Sequence, residues 1–151
     1  MRYAKLAFAL LGFAAVLVAA EPFAGTWKLN TGKSKFKTGA PPKELTITIE
    51  ESGRDLDVTA KGTSADGSPI SGHYTVPAQG GEGKIIEFPY DAVSGKRMGP
   101  NQREVSYSKG GKVVYTVRTR VSADGKTMTS TSKGSNPQGQ TVEGTSVYEK
   151  Q

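Results

Sequence analysis

The chain contains no cysteine, one histidine and one tryptophan. Without thiols there is neither a disulfide framework nor a thiolate metal site, so packing and strand pairing must hold any fold. The single histidine, His73, leaves a zinc site to scattered carboxylates and gives Ser-His-Asp catalysis one candidate base, with no nucleophile elbow to serve. Its strand phase, opposite to that of Tyr74, sets it on an outer face. No stretch carries a helical stripe of apolar residues. The glycines cluster in turns rather than between a strand and a helix, which excludes a phosphate-binding loop. These absences point away from an enzyme and imply no metal and no cofactor.

Long apolar runs are also scarce. The one that exists, Leu6 to Val18, follows Arg2 and Lys5 and ends in Val18-Ala19-Ala20 before Glu21-Pro22. A basic start, a short apolar run and a small-residue exit form a signal peptide pattern, and a membrane span needs about 20 apolar residues. The expectation is export with cleavage near Ala20, a periplasmic or secreted location, and one domain over 21–151. Removing 1–20 lowers the formal charge from +6 to +4, because Arg2 and Lys5 leave and no acid does. That surplus is far below the footprint of a nucleic-acid binder.

What the mature sequence does have is period-two alternation almost throughout. Leu45/Ile47/Ile49, Leu56/Val58/Ala60 and Ile70/Gly72/Tyr74/Val76 form one set of inward candidates. Ile86/Phe88/Tyr90, Val105/Tyr107, Val113/Tyr115/Val117, Met128/Ser130/Ser132 and Val142/Gly144/Ser146/Tyr148 continue it. Turn signals separate the runs: Ser52-Gly53, Asp66-Gly67, Gly80-Gly81, Gly110-Gly111, Asp124-Gly125 and Gln138-Gly139. Short strands joined by tight turns predict an all-β antiparallel meander.

A shift of 72 residues lays 45–76 on 117–148 without a gap, with Gly53 on Gly125, Gly62 on Gly134 and Gly72 on Gly144. This is either two equivalent three-strand meanders or the reuse of one turn chemistry. The first copy fills its inward positions with Leu, Ile and Val. The second places Thr119, Ser130, Ser132, Gly144 and Ser146 there, which either line a hydrated cavity or face solvent on an open sheet.

Two stretches carry a family resemblance. Phe23-Ala24-Gly25-Thr26-Trp27-Lys28-Leu29 resembles the Gly-x-Trp first strand of the calycins, the lipocalins and fatty-acid-binding proteins. Thr145-Ser146-Val147-Tyr148-Glu149-Lys150 resembles the last strand of fatty-acid-binding proteins. The resemblance implies an up-and-down lipocalin-like β-barrel of about eight to ten strands, closed by its first and last strands. It implies structural roles for Gly25 and Trp27, the latter as a plug covered by an arginine, for which Arg118 and Arg120 are the candidates. The departures are equally informative. Ser146 replaces the arginine of the Arg-x-Tyr pair that grips a fatty-acid carboxylate, and Pro41-Pro42 and the glycines of 31–44 leave no helical lid.

The resulting expectation is a non-catalytic barrel holding a small apolar or amphipathic ligand. Tyr148, Ser146, Tyr74, Tyr115, Tyr107 and Arg103 are the candidate ligand-binding residues, offering apolar walls with a few hydroxyls and one inward cation. The alternative is an envelope interaction module that uses the barrel's surface to contact protein, polysaccharide or anionic membrane. The lysine-rich segment with Lys28, Lys33, Lys35, Lys37 and Lys43 suggests weak membrane contact. A lumen lined by the tyrosines separates the first reading from the second.

Overall fold

In a computed structural model of the protein, residues 19–151 are described. The charged start and apolar run of the expected signal lie outside the described residues. Twelve strands follow one another: β1 (Gly25–Leu29), β2 (Lys35–Phe36), β3 (Glu44–Ser52), β4 (Asp55–Thr63), β5 (Pro69–Pro77), β6 (Gly80–Glu82), β7 (Lys84–Glu87), β8 (Ala92–Gly99), β9 (Gln102–Lys109), β10 (Lys112–Val121), β11 (Thr127–Ser135) and β12 (Thr141–Lys150). All pairings are antiparallel, in the order β6-β8-β9-β10-β11-β12-β1-β3-β4-β5-β7.

The order closes into a barrel because two positions are each filled by two short strands. β1 and β2 both lie along β12, joined by Asn30 N–H donating to Val147 O at 2.8 Å and Val147 N–H to Ser34 Oγ at 2.9 Å. β6 pairs with β8 while β7, one residue later, pairs with β5. The chain therefore switches partner at Gly83, whose N–H donates to Val93 O at 2.8 Å. A Cβ there would lie 2.2 Å from the Thr75 carbonyl oxygen, so only glycine lets the strand pass between the two edges. Counting each broken pair once, the twelve segments make ten positions around a nearly closed antiparallel barrel.

One end of the barrel is filled. Phe23, Trp27, Leu29, Leu56, Val76, Val121, Met128 and Tyr148 pack into a single buried cluster. Trp27 is 0% exposed, and its Nε1–H donates to Phe23 O at 2.9 Å. Burying an aliphatic or phenyl side chain of this size contributes about 1.5–3 kcal/mol. Neither Arg118 nor Arg120 covers the tryptophan. Both point outward, Arg118 to Glu104 at 2.5 Å and Arg120 to Gln102 at 3.3 Å, and the Lys150 ammonium instead sits 5.3 Å from the Trp27 ring centroid. Glu21 ties the entering chain to β8 through a 2.7 Å pair with Arg97.

One turn expectation and two of strand phase are corrected. Gly80-Gly81 begins β6 rather than forming the turn. Ile86 is half-exposed and Ile85 points to the core, because the β5–β7 register shifts at His73/Tyr74 and Pro89 ends the run before Tyr90. Val113 is exposed and Val114 packs inward, because β10 bulges against β9 between Val113 and Tyr115.

The internal repeat is partly structural. Ala60 pairs with Gly72 and, 72 residues on, Ser132 pairs with Gly144, so the second hairpin keeps its register. The first does not: Leu56 pairs with Glu51, but Met128 pairs with Val121, two residues out of step. The repeated glycines have a steric cause. A Cβ at Gly62 would lie 2.2 Å from Glu44 O, and one at Gly134 would lie 2.2 Å from Val114 O.

Gly83→Ala is expected to lower unfolding stability by about 1–3 kcal/mol through the clash at the seam. Gly99→Ala, where a Cβ meets nothing within 4 Å, is expected to change it little. Urea unfolding of both variants checks this; equal midpoints would remove Gly83 from its role in closure.

Candidate functional site

Above the plug, the inward residues stop filling the barrel. They enclose a cavity of about 210 Å³. Leu45, Ile47, Ile49, Val58, Ala60 and Ile70, from β3 to β5, give it an apolar wall. Thr119, Ser130, Ser132 and Ser146, from β10 to β12, give the facing wall hydroxyls. The cause is side-chain volume: the second half of the repeat carries Thr119, Ser130 and Ser146 where the first carries Ile47, Val58 and Tyr74.

All six residues singled out from the sequence line this cavity: Tyr74, Arg103, Tyr107, Tyr115, Ser146 and Tyr148. The ladders place four polar residues in one row: Arg103 opposes Thr119, Thr119 opposes Ser130, and Ser130 opposes Ser146. Thr119 Oγ1 and Ser130 Oγ are 2.9 Å apart. The next row down is Val121, Met128, Tyr148 and Leu29, which belongs to the plug. The polar row is therefore the floor of the cavity.

An aromatic cluster forms the rest of the wall on the side of β5, β9 and β10. Tyr107 O–H donates to the Tyr74 hydroxyl at 2.9 Å, with the two rings edge to face at 5.6 Å. Tyr107 and Tyr115 stack at 5.7 Å, and Phe88 lies 5.3 Å from Tyr107. Phe88 enters because Gly72 leaves room: a Cβ at that glycine would sit 2.7 Å from the ring. Phe88 lines the cavity as its inward phase implies, although it lies just past the end of β7, whereas Phe23, in the irregular segment before β1, is a cavity residue that the period-two reading did not single out.

Arg103 is 7% exposed. Its guanidinium lies 5.4 Å from the Phe23 ring centroid, and Gly95 opens the space beside its Nη2. Among the described residues no acceptor is within hydrogen-bonding reach of it, while neighbouring Arg97 is taken by Glu21. Burial lowers the Arg103 pKa, opposed by Tyr74, Glu21 and Tyr107, and the group stays charged at neutral pH. Burial likewise raises Tyr74, Tyr107, Tyr115 and Tyr148, and pushes Tyr90 up to about 12. The cavity wall holds no carboxylate or imidazole among the described residues.

The remaining candidates lie outside the cavity. His73 faces Asp57 on the outer surface at 2.8 Å. Of the basic segment, Lys33 and Lys37 pair with Glu149 and Glu143, each at 2.6 Å, which lowers both carboxyl pKa values. A second hollow, of about 420 Å³, is bounded by Ala19, Ala20, Glu21, Arg97 and turn residues near Asn101 and Ala123; none of the candidate tyrosines lines it, nor does Arg103.

The fold is that of a calycin-type barrel. The chain is similar to the zebrafish ileal bile acid-binding protein complexed with cholic acid, with a TM-score of 0.51 and 18% identity, covering 86% of this chain and 99% of that one. It also matches lobster apocrustacyanin A1 (TM-score 0.48, 10% identity, 87% and 62% covered) and a de novo designed fluorescence-activating β-barrel (0.42, 18%, 87% and 96%). At these identities the likeness is one of fold. No family model and no curated protein sequence matches the chain.

The buried phenols make stability fall at alkaline pH. Their folded pKa values lie above the unfolded value of 10.0, so above that pH the unfolded chain loses protons that the folded chain keeps. Stability is expected to be flat through neutrality in this respect and to decline as pH rises past about 10, with phenolate absorbance appearing together with unfolding. Phenolate titration of most tyrosines in the intact fold near pH 10 would contradict the buried cluster.

Proposed function

We propose that this protein is an exported, non-catalytic binding protein that holds one small amphipathic molecule inside its barrel. The observation that carries the reading is the cavity itself. A barrel of this size can pack its interior completely, and this one leaves a cavity beside its packed Trp27 and Tyr107 clusters. The space left above is lined by apolar side chains with a few convergent polar groups, the usual make-up of a small-molecule site. The zebrafish protein of the same fold holds cholic acid, which supports a binding role for this architecture. A wall with one cation, several hydroxyls and neutral phenols supports binding without catalysis. The surface reading draws less support, because two of its five lysines are already paired with β12.

The test is saturable binding of a small neutral aromatic probe, 2-naphthol, followed by its emission. One site per protein is expected. Filling the cavity by Ala60→Phe or Ser132→Phe is expected to weaken binding by about tenfold or more while the far-ultraviolet spectrum stays that of the parent. Lys61→Ala, on the outer face of the same strand, is expected to bind as the parent does. Equal binding by the filled and parent proteins, or none by the parent, would contradict an interior site.

A further inference from the structure

We infer that the cavity is built for a small ring-bearing carboxylate, seated with its anionic group on the polar floor beside Arg103 and its ring among the aromatic side chains above. The inference rests on the binding-barrel reading and specifies the ligand of that site.

The floor supplies the first argument. Arg103, Thr119, Ser130 and Ser146 occupy one cross-strand row on four neighbouring strands, and all four line the cavity. Three hydroxyls and a guanidinium thus form a continuous polar strip next to the plug row, with one proton of the Thr119–Ser130 pair shared between them. Tyr74 adds to it: its hydroxyl accepts from Tyr107, and among the described residues its own hydrogen has no acceptor.

Arg103 is a buried cation with no hydrogen-bond partner among the described residues. A guanidinium taken out of water costs several kcal/mol unless an anion or other acceptors compensate. Arg103 is more than nine-tenths buried, lines the cavity and has no acceptor among the described residues. The neighbouring carboxylate, Glu21, pairs through Oε2 with Arg97 and leaves Oε1 buried without a hydrogen-bond partner, so it acts on Arg103 only through its field. The cluster of Arg97, Arg103 and Glu21 therefore carries one net positive charge, which matches a monoanion. The planar fork of Arg103 suits a carboxylate, whose two oxygens accept two parallel N–H bonds.

Volume and wall chemistry fix the rest. A water occupies about 30 Å³ of liquid, and an apolar cavity of about 150 Å³ accommodates benzene. The 210 Å³ present here holds an aromatic ring with a short acidic side chain and is too small for a long alkyl chain. Phe88, Tyr107 and Tyr115 present faces and edges at stacking distances from one another, which suits a ring inserted beside them.

Calorimetry with 3-phenylpropanoate, its neutral amide and palmitate tests the inference on the full exported protein. The acid is expected to bind about tenfold tighter than the amide at neutral pH, and palmitate more weakly than either. Arg103→Met is expected to lower the acid-to-amide affinity ratio from about ten to about one. Arg103→Lys, which keeps the charge but loses the fork, is expected to fall between. Removing an uncompensated buried charge favours folding, and the acid-to-amide ratio of the parent protein is informative without any variant. Equal binding of acid and amide by the parent would overturn the anionic seat while leaving an interior binding site intact. Tighter binding of palmitate would overturn the assignment of size and ring. Failure of the acid, the amide and 2-naphthol alike would remove the binding-barrel reading itself.

Discussion

β1 is five residues long, yet its backbone pairs with β12 on one side and with β3 on the other. It brings Trp27 under the barrel and joins the two ends of the chain into one sheet. Without it, β3 to β5 and β8 to β12 would be two open sheets, each with an exposed edge and a half-buried apolar face. Closure makes the alternation of side chains meaningful, because every second residue then points into one enclosed volume. The same closure sets the levels within that volume. Val121, Met128, Tyr148 and Leu29 share the plug row, and Arg103, Thr119, Ser130 and Ser146 share the row above it.

The interior divides by what each row can pack. Large apolar side chains meet at the Trp27 end and exclude water there. One level higher, hydroxyls and a guanidinium face aliphatic side chains across the barrel, and neither group fills the space. Small residues extend the division outward: Ala60 and Gly72 on one side, Ser132 and Gly144 on the other. A cavity lined this way sacrifices packing enthalpy that a filled core would have supplied. Placing the loss beside the most strongly desolvated cation in the described chain is what gives the hollow a chemical direction.

Much of this was legible in the sequence. Period-two alternation identified the inward residues of β3, β4, β5, β9, β11 and β12, and the serine and threonine positions that leave the cavity open. The inward phase of Arg103 follows from Val105 and Tyr107 two and four residues later. Alternation cannot see a bulge, however, because a single extra residue inverts every phase beyond it. That is why Ile85 and Val114, rather than Ile86 and Val113, face the core. It also cannot see a strand that changes partners, so Gly80-Gly81 read as a turn although the break lies at Gly83. Contacts made by irregular segments were equally hidden: Phe88 reaching over Gly72, and Lys150 rather than an arginine covering Trp27, depend on tertiary placement alone.

The central claim is that the space above the plug exists to be occupied. Native mass spectrometry of the protein purified from its own host, without denaturation, addresses it most directly. A species heavier than the bare chain by the mass of one small organic molecule is expected, released on unfolding and absent from the Ala60→Phe variant. A bare chain in repeated preparations, with no response to any small aromatic molecule added afterwards, would contradict it.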